Sequence, residues 1–159
     1  YLSRAVASDG TLPDGTVYLL ENRDVRSDTR QPLFPTAVAE LVRRGRKAEI
    51  LGRRVRGQNG ILPVRRDDVI GAVVGTRRFN WKKSKSTFLP GAIAESLTSF
   101  GGFFDKGSQT KLTAFLRHGA AGSSGPWPPS TRMSGLWQRG QRKVGCSTSN
   151  SRPLNLLLR

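Results

Sequence analysis

The stretch Thr36-Ala37-Val38-Ala39-Glu40-Leu41-Val42-Arg43 alternates roughly between apolar and polar residues, and read as a strand it turns Val38 and Leu41 inward. It then joins four similar runs. Thr16-Val17-Tyr18-Leu19-Leu20-Glu21 follows the turn signal Pro13-Asp14-Gly15. Lys47 to Leu51 follows the break at Arg44-Gly45-Arg46, and Ile61 to Arg65 follows Gln58-Asn59-Gly60, whose Asn-Gly pair is a hairpin signal. Val69 to Val74 is a nearly continuous apolar run that ends at Gly75. Five short strands within roughly 65 residues, parted by glycine-containing turns, predict a mainly β fold: a small SH3-like barrel over residues 11–80. Residues 1–10 read as a linker. Residues 81–159 read as a mostly irregular basic extension, with a short helix near 91–100 carrying Ala92, Ile93, Leu97 and Phe100 on one side.

Charge directs the functional reading. The chain of 159 residues holds 27 Lys and Arg against 11 Asp and Glu, a net charge of +16. Residues 1–100 carry 18 basic and 10 acidic residues, whereas residues 101–159 carry 9 basic and 1 acidic. Such an excess repels itself until a polyanion supplies the opposite charge, and nucleic acid does so with a gain from counterion release. Arginine outnumbers lysine, which favours forked phosphate contacts and stacking on bases. A membrane surface would call for a basic amphipathic helix or an apolar span of about 20 residues, and the sequence shows neither.

The residues expected to contact RNA follow from this. The turns of the expected barrel carry Arg43, Arg44, Arg46, Lys47, Arg53, Arg54 and Arg56. Arg77, Arg78, Lys82, Lys83, Lys85, Lys111 and Arg117 continue the series. Beyond Pro126-Trp127-Pro128-Pro129, which must be extended, Arg132, Arg139, Arg142 and Lys143 are interspersed with glycines. That pattern suits a tail threaded through folded RNA, with Trp127 among its contacts; a merely solvated basic surface and plain disorder are the competing readings. The terminal leucines Leu154, Leu156, Leu157 and Leu158 form a run too short to cross a bilayer and suited to a protein neighbour.

Catalytic chemistry finds little footing. One cysteine, Cys146, excludes an internal disulfide, and with one histidine, His118, a zinc finger has too few ligands. Ser123 and Ser124 lie near His118, but Asp105 is the one acid in that half to orient it, so a hydrolase triad is disfavoured. Gly119 to Gly125 lacks the Gly-Lys-Ser/Thr of a phosphate-binding loop. The expectation is a protein that is not an enzyme and holds no cofactor or metal.

The order of these features resembles the C-terminal half of the universal large-subunit ribosomal protein L-two family. Leu12-Pro13-Asp14-Gly15-Thr16-Val17 resembles its opening segment. Thr36 to Val42, Gly45 and Lys47 to Leu51 are similar to its next two strands, and Asn59-Gly60 with Val69-Ile70-Gly71-Ala72-Val73-Val74-Gly75 to its later hairpin and strand. Arg117-His118-Gly119-Ala120-Ala121-Gly122 looks like an eroded form of the family's His-Pro-His-Gly-Gly-Gly-Glu-Gly loop, without its first histidine and its glutamate. Pro126-Trp127, Gly135 and the run from Arg139 to Lys143 look like the stretch and tail that follow. The resemblance implies a structural constituent of the large ribosomal subunit, with His118 and Gly119 touching ribosomal RNA near the peptidyl-transferase region. It implies neighbouring ribosomal proteins as partners and a separate chain for the missing N-terminal OB-like half, Tyr1 to Gly10 being a linker remnant. Such splitting and erosion suit an organellar ribosome, in the mitochondrial matrix first and the chloroplast second. The alternative from another class is a basic RNA-binding or capsid-type protein with an RNA-threading arm.

Overall fold

The computed structural model of the chain describes residues 2–11, 13–103 and 107–125. Its centre is a five-stranded sheet in the order β2-β1-β3-β4-β5, made of β1 (Thr16–Glu21), β2 (Lys47–Gly52), β3 (Val69–Val74), β4 (Phe88–Ser96) and β5 (Gly122–Ser124). All four strand pairs are parallel, with registers such as Leu20 to Leu51, Tyr18 to Ala72 and Ala72 to Ala94. The described residues also form five helices: α1 (Leu2–Ala7), α2 (Val25–Asp28), α3 (Phe34–Arg43), α4 (Trp81–Ser84) and α5 (Thr113–Arg117), with a 3-10 turn at Gln31–Leu33 before α3. The fold is thus mixed α/β. An SH3-like barrel pairs neighbouring strands antiparallel through short hairpins, and parallel pairing replaces that expectation.

The reason lies in the stretch first read as a strand. Residues 36–43 belong to α3, with Pro35 in its first turn, where a missing N–H costs nothing. Phe34, Ala37, Val38 and Leu41 recur at helical spacing, and all four are buried or half-buried, whereas Pro35, Thr36, Ala39 and Val42 face solvent. A helix here carries the chain from the carboxyl end of β1 back to the amino end of β2, as a parallel pair requires. The strand expected over residues 61–65 is also absent. Asn59 Oδ1 instead accepts the backbone N–H groups of Ile61 and Leu62, so the Asn-Gly signal marks a turn within a long connection and not a hairpin.

The helix expected near 91–100 is strand β4. From Ala92 to Ser96 burial alternates, with Ala92, Ala94 and Ser96 buried and Ile93 and Glu95 more open, the period of a strand. The sheet therefore runs past residue 80, where the barrel was expected to end. β1 and β3 keep the strand character read from sequence. Both are apolar almost throughout, as strands covered on two faces must be.

One face of the sheet presents Tyr18, Leu20, Leu51, Ala72, Val74, Ala92 and Ala94 to a core closed by Leu62, Trp81, Phe88 and Phe115. Small alanines lie where the rings pack. Trp81 stacks on Phe88 at 4.0 Å between ring centroids, and Phe115 meets Trp81 edge-on at 5.8 Å. Phe79 stacks on the same Phe115 at 4.7 Å. On the other face Leu19 is buried, and Arg30 reaches across it, its guanidinium donating to Glu95 at 2.6 Å and to the Val74 carbonyl at 2.9 Å. Among the described residues no helix is long and apolar enough to cross a membrane.

Candidate polyanion site at the carboxyl edge of the sheet

A parallel sheet sends every strand's carboxyl end to one edge. In open sheets of this kind ligands bind outside that edge, where successive connections leave in opposite directions. Here the chain steps from β1 to β2 on one side and then passes over β1 to β3 on the other. The crevice therefore lies between the carboxyl ends of β1 and β3.

Asn22, directly after β1, holds that edge together. It is buried, its Nδ2 donates to the carbonyls of Gly60 at 2.8 Å and Gly75 at 3.2 Å, and its Oδ1 accepts the Asp24 N–H at 2.8 Å. The three loops following β1, β2 and β3 are thereby pinned by one side chain. Asp24 caps α2 by accepting the Arg26 N–H, pairs with the Arg26 guanidinium at 2.9 Å, and accepts the Arg77 N–H at 3.3 Å. Burial alone would raise the Asp24 carboxyl, but these donors outweigh it and hold it below its ordinary value. Ser27 completes the joint, its hydroxyl donating to the Leu20 carbonyl at 2.7 Å. Gly75 is required here, since a Cβ would come within 2.5 Å of the Ser27 nitrogen.

Exposed arginines follow each of these three adjacent strands: Arg23 after β1, Arg53, Arg54 and Arg56 after β2, Arg77 and Arg78 after β3. None is in an ion pair among the described residues. Lys82, Lys83 and Lys85 stand exposed on and just after α4. The opposite edge has another character. Asp14, Asp67 and Asp68 precede β1 and β3 there, and Asp14 pairs with Lys47 at 2.8 Å. Asp68 accepts from the hydroxyls of Thr16 at 2.6 Å and Tyr18 at 2.8 Å. Burial first, and then the bond to Asp68, push the Tyr18 phenol up to about 12.

The residues singled out from sequence thus divide. Arg53, Arg54, Arg56, Arg77 and Arg78 follow strands at the carboxyl edge; Lys82 and Lys83 lie on α4, on the way to the amino end of β4, and Lys83 lines a cleft with Arg78. Arg43 and Arg44 do not join them. They sit at the end of α3, and both pair with Glu40, at 2.7 and 2.6 Å. Those guanidinium hydrogen bonds lower the Glu40 carboxyl to about 2. Arg46 is half-buried at the start of β2, on the same amino edge as Lys47. Lys111 is structural, its ammonium donating to the carbonyls of Phe100 at 2.9 Å and Phe103 at 2.5 Å. Arg117 and His118 are exposed at the end of α5, followed by Gly119 with φ +113°. His118 Nδ1 lies 2.7 Å from the Ala114 carbonyl, which makes it the protonated ring nitrogen and directs it back into its own helix. No carboxylate among the described residues orients that ring. Trp127, Arg132, Arg139, Arg142 and Lys143 lie outside the described residues.

Sequence reasoning passed over Arg23, Asn22 and Asp24, which lie in a short polar stretch directly after an apolar strand. It also passed over a cleft of about 410 Å³ between the 59–62 turn and residues 78–84. Among the described residues no group of three or more His, Cys, Asp or Glu could hold a metal ion. No family model, curated protein or solved structure matches this chain.

Proposed function

We propose that this chain is a non-catalytic RNA-binding protein that grips phosphates with the arginines at the carboxyl edge of its sheet. The observation that supports it is the placement of Arg23, Arg53, Arg54, Arg56, Arg77 and Arg78 after three adjacent parallel strands, none of them in an ion pair among the described residues. Guanidinium groups gathered on the connections that follow three adjacent strands suit a run of phosphates better than scattered surface charge does. Of the acids at that edge, Asp24 is already engaged by Arg26 and by the Arg77 N–H, whereas Glu21, exposed at the end of β1 and in register with Gly52, offsets part of the arginine field.

The finer reading makes the chain a constituent of a large ribosomal subunit, in a mitochondrial ribosome, near the peptidyl-transferase region. It rests on the order of sequence motifs; the parallel sheet lends no support to the SH3-like barrel that the resemblance implied.

Two measurements test the proposal. Fluorescence anisotropy with a structured RNA, across a series of KCl concentrations, is expected to give a log–log slope of about −4 to −5 if six phosphates are neutralised. Replacing Arg53, Arg54 and Arg56 together by Glu should flatten that slope by about 2 to 3. A flat salt dependence, or an unchanged slope in the triple variant, refutes phosphate gripping at this edge. Co-sedimentation with ribosomal particles tests the finer reading separately; a chain that runs apart from them is not a ribosomal constituent.

A further inference from the structure

The cleft between the 59–62 turn and residues 78–84 has a volume of about 410 Å³, within the roughly 300–1,000 Å³ usual for small-molecule sites. It adjoins the arginine edge, because Gly60 is tied to Asn22 and Arg77 to Asp24. Its chemistry differs from that of the edge. Ile61 and Phe79 give it apolar lining, and Phe79 is fixed from behind by stacking on Phe115. Arg78 and Lys83 bring two cations to its wall. Arg78 is oriented by its Nε, which donates to the Ser108 carbonyl at 3.1 Å, and no acid pairs with either cation among the described residues.

Two asparagines complete the lining. Asn59 spends its Oδ1 on the N–H groups of Ile61 and Leu62, so what it offers a ligand is its Nδ2 donor pair. Asn80 stands at the start of α4 yet makes no capping bond with its side chain, and it is exposed. An apolar patch, two amides and two cations in one cleft match an aromatic ring that carries hydrogen-bond acceptors and is joined to a phosphate.

We infer that this cleft seats a single nucleotide, its base on Ile61 and Phe79 with its edge read by Asn59 and Asn80, and its phosphate on Arg78 and Lys83. The inference rests on the RNA reading and deepens it. The arginine edge follows the backbone of a strand whose unpaired base enters the cleft, and so favours single-stranded over duplex RNA.

The test is isothermal titration of the full chain with guanosine 5′-monophosphate, whose O6 and N7 are both acceptors, and with inorganic phosphate. The nucleotide should bind, and Asn59→Ala and Asn80→Ala should each weaken it by about 5- to 10-fold; the thermal melt stays unchanged in Asn80→Ala, whereas Asn59→Ala also gives up its turn bonds to the Ile61 and Leu62 N–H groups and melts lower. The same variants should weaken single-stranded RNA and leave duplex RNA alone. If inorganic phosphate binds as tightly as the nucleotide, or both variants bind it like the parent, the site is an anion site only and the inference fails. Failure of the RNA reading looks different: nucleotide binding sensitive to Asn59 and Asn80, with no affinity for any RNA. The Arg53, Arg54 and Arg56 triple variant supplies the converse control, losing RNA affinity while retaining the nucleotide.

Discussion

Asn22 offers the most direct test of how the carboxyl edge is built. Its side chain makes three hydrogen bonds, to the Gly60 and Gly75 carbonyls and from the Asp24 N–H, and both glycines are buried. Asn22→Ala removes all three and leaves at least two buried carbonyls unpaired. Each such loss costs about 1–3 kcal/mol, and the half-exposed Asp24 side admits water, so the sum is about 3–5 kcal/mol. That is a large fraction of the roughly 5–15 kcal/mol that holds a domain folded. In urea unfolding followed by circular dichroism, with a slope of about 2 kcal/mol per molar, the midpoint should fall by roughly 2 M. Asn22→Asp sharpens the test, since it keeps the shape and reverses the two donors. A carboxylate facing two carbonyls has its folded pKa raised, so the protonated form is the one that folds well. The sign follows: Asn22→Asp is at its most stable below the unfolded carboxyl value of about 4, and stability declines as pH rises through the folded value. Asn22→Ala has no such term, so the gap between the two variants should widen from acid to neutral pH. An Asn22→Ala cost under about 1 kcal/mol, or a gap constant with pH, refutes the claim that one amide pins the three loops.

Three further outcomes are expected. Gly75→Ala should cost several kcal/mol, since its Cβ would meet Ser27 and Arg26 backbone atoms at 2.5–2.6 Å, whereas Gly45→Ala, with nothing within 4 Å and only its φ of +72° opposing it, should cost about 1 kcal/mol in the same urea series. Phe115→Ala, which empties the fully buried centre of the aromatic cluster, should cost about 3–5 kcal/mol and lower the thermal midpoint accordingly; a shift of a degree or two would mean that the rings do not share one core. In an absorbance titration the chain's two tyrosines should separate, with Tyr18 ionising only near pH 12; because its folded value is raised, its stabilising effect is complete below the ordinary value of 10.0 and is lost as pH rises through about 12.

What could be read from sequence, and what could not, divides along physical lines. The strands at residues 16–21, 47–51 and 69–74 were legible because apolar β-rich runs between turn signals admit few other structures. Residues 36–43 were misread because eight residues give little more than two helical turns, and a period of two competes with one of 3.6 over so short a window. Extending the window back to Phe34 and Pro35 supplies both the missing periodic residue and the helix-start signal. Residues 88–96 failed in the opposite direction. Alanines at 92 and 94 favour helix by propensity, but they sit on the core face of a strand because the Trp81 and Phe88 rings need room there. Propensity yields to packing at such positions, and packing is invisible until the rings have been placed. The cleft had no sequence signature, since its two asparagines lie 21 positions apart and meet only through the fold.

The direction of strand pairing also changes what the charge means. In an antiparallel barrel, arginines at successive turns alternate between the two ends and surround the body with diffuse potential. In a parallel sheet every loop that follows a strand opens at the same end. The arginines at 23, 53, 54, 56, 77 and 78 are therefore gathered at one end by topology, although up to 55 positions separate them in the chain. The acids that precede strands, Asp14, Asp67 and Asp68, are collected at the far end by the same rule. A chain with this composition folded as a barrel would be basic without a preferred face. Folded as it is, it gathers six arginines at the carboxyl edge while the amino edge mixes Arg46, Lys47, Arg65 and Arg66 with its acids, so a polyanion approaching through solution is steered first to the carboxyl edge. Exchanging Arg77 and Arg78 with Asp67 and Asp68 would keep both composition and net charge while erasing the polarity. If RNA affinity survived that exchange unaltered, total charge and not its placement would be what binds.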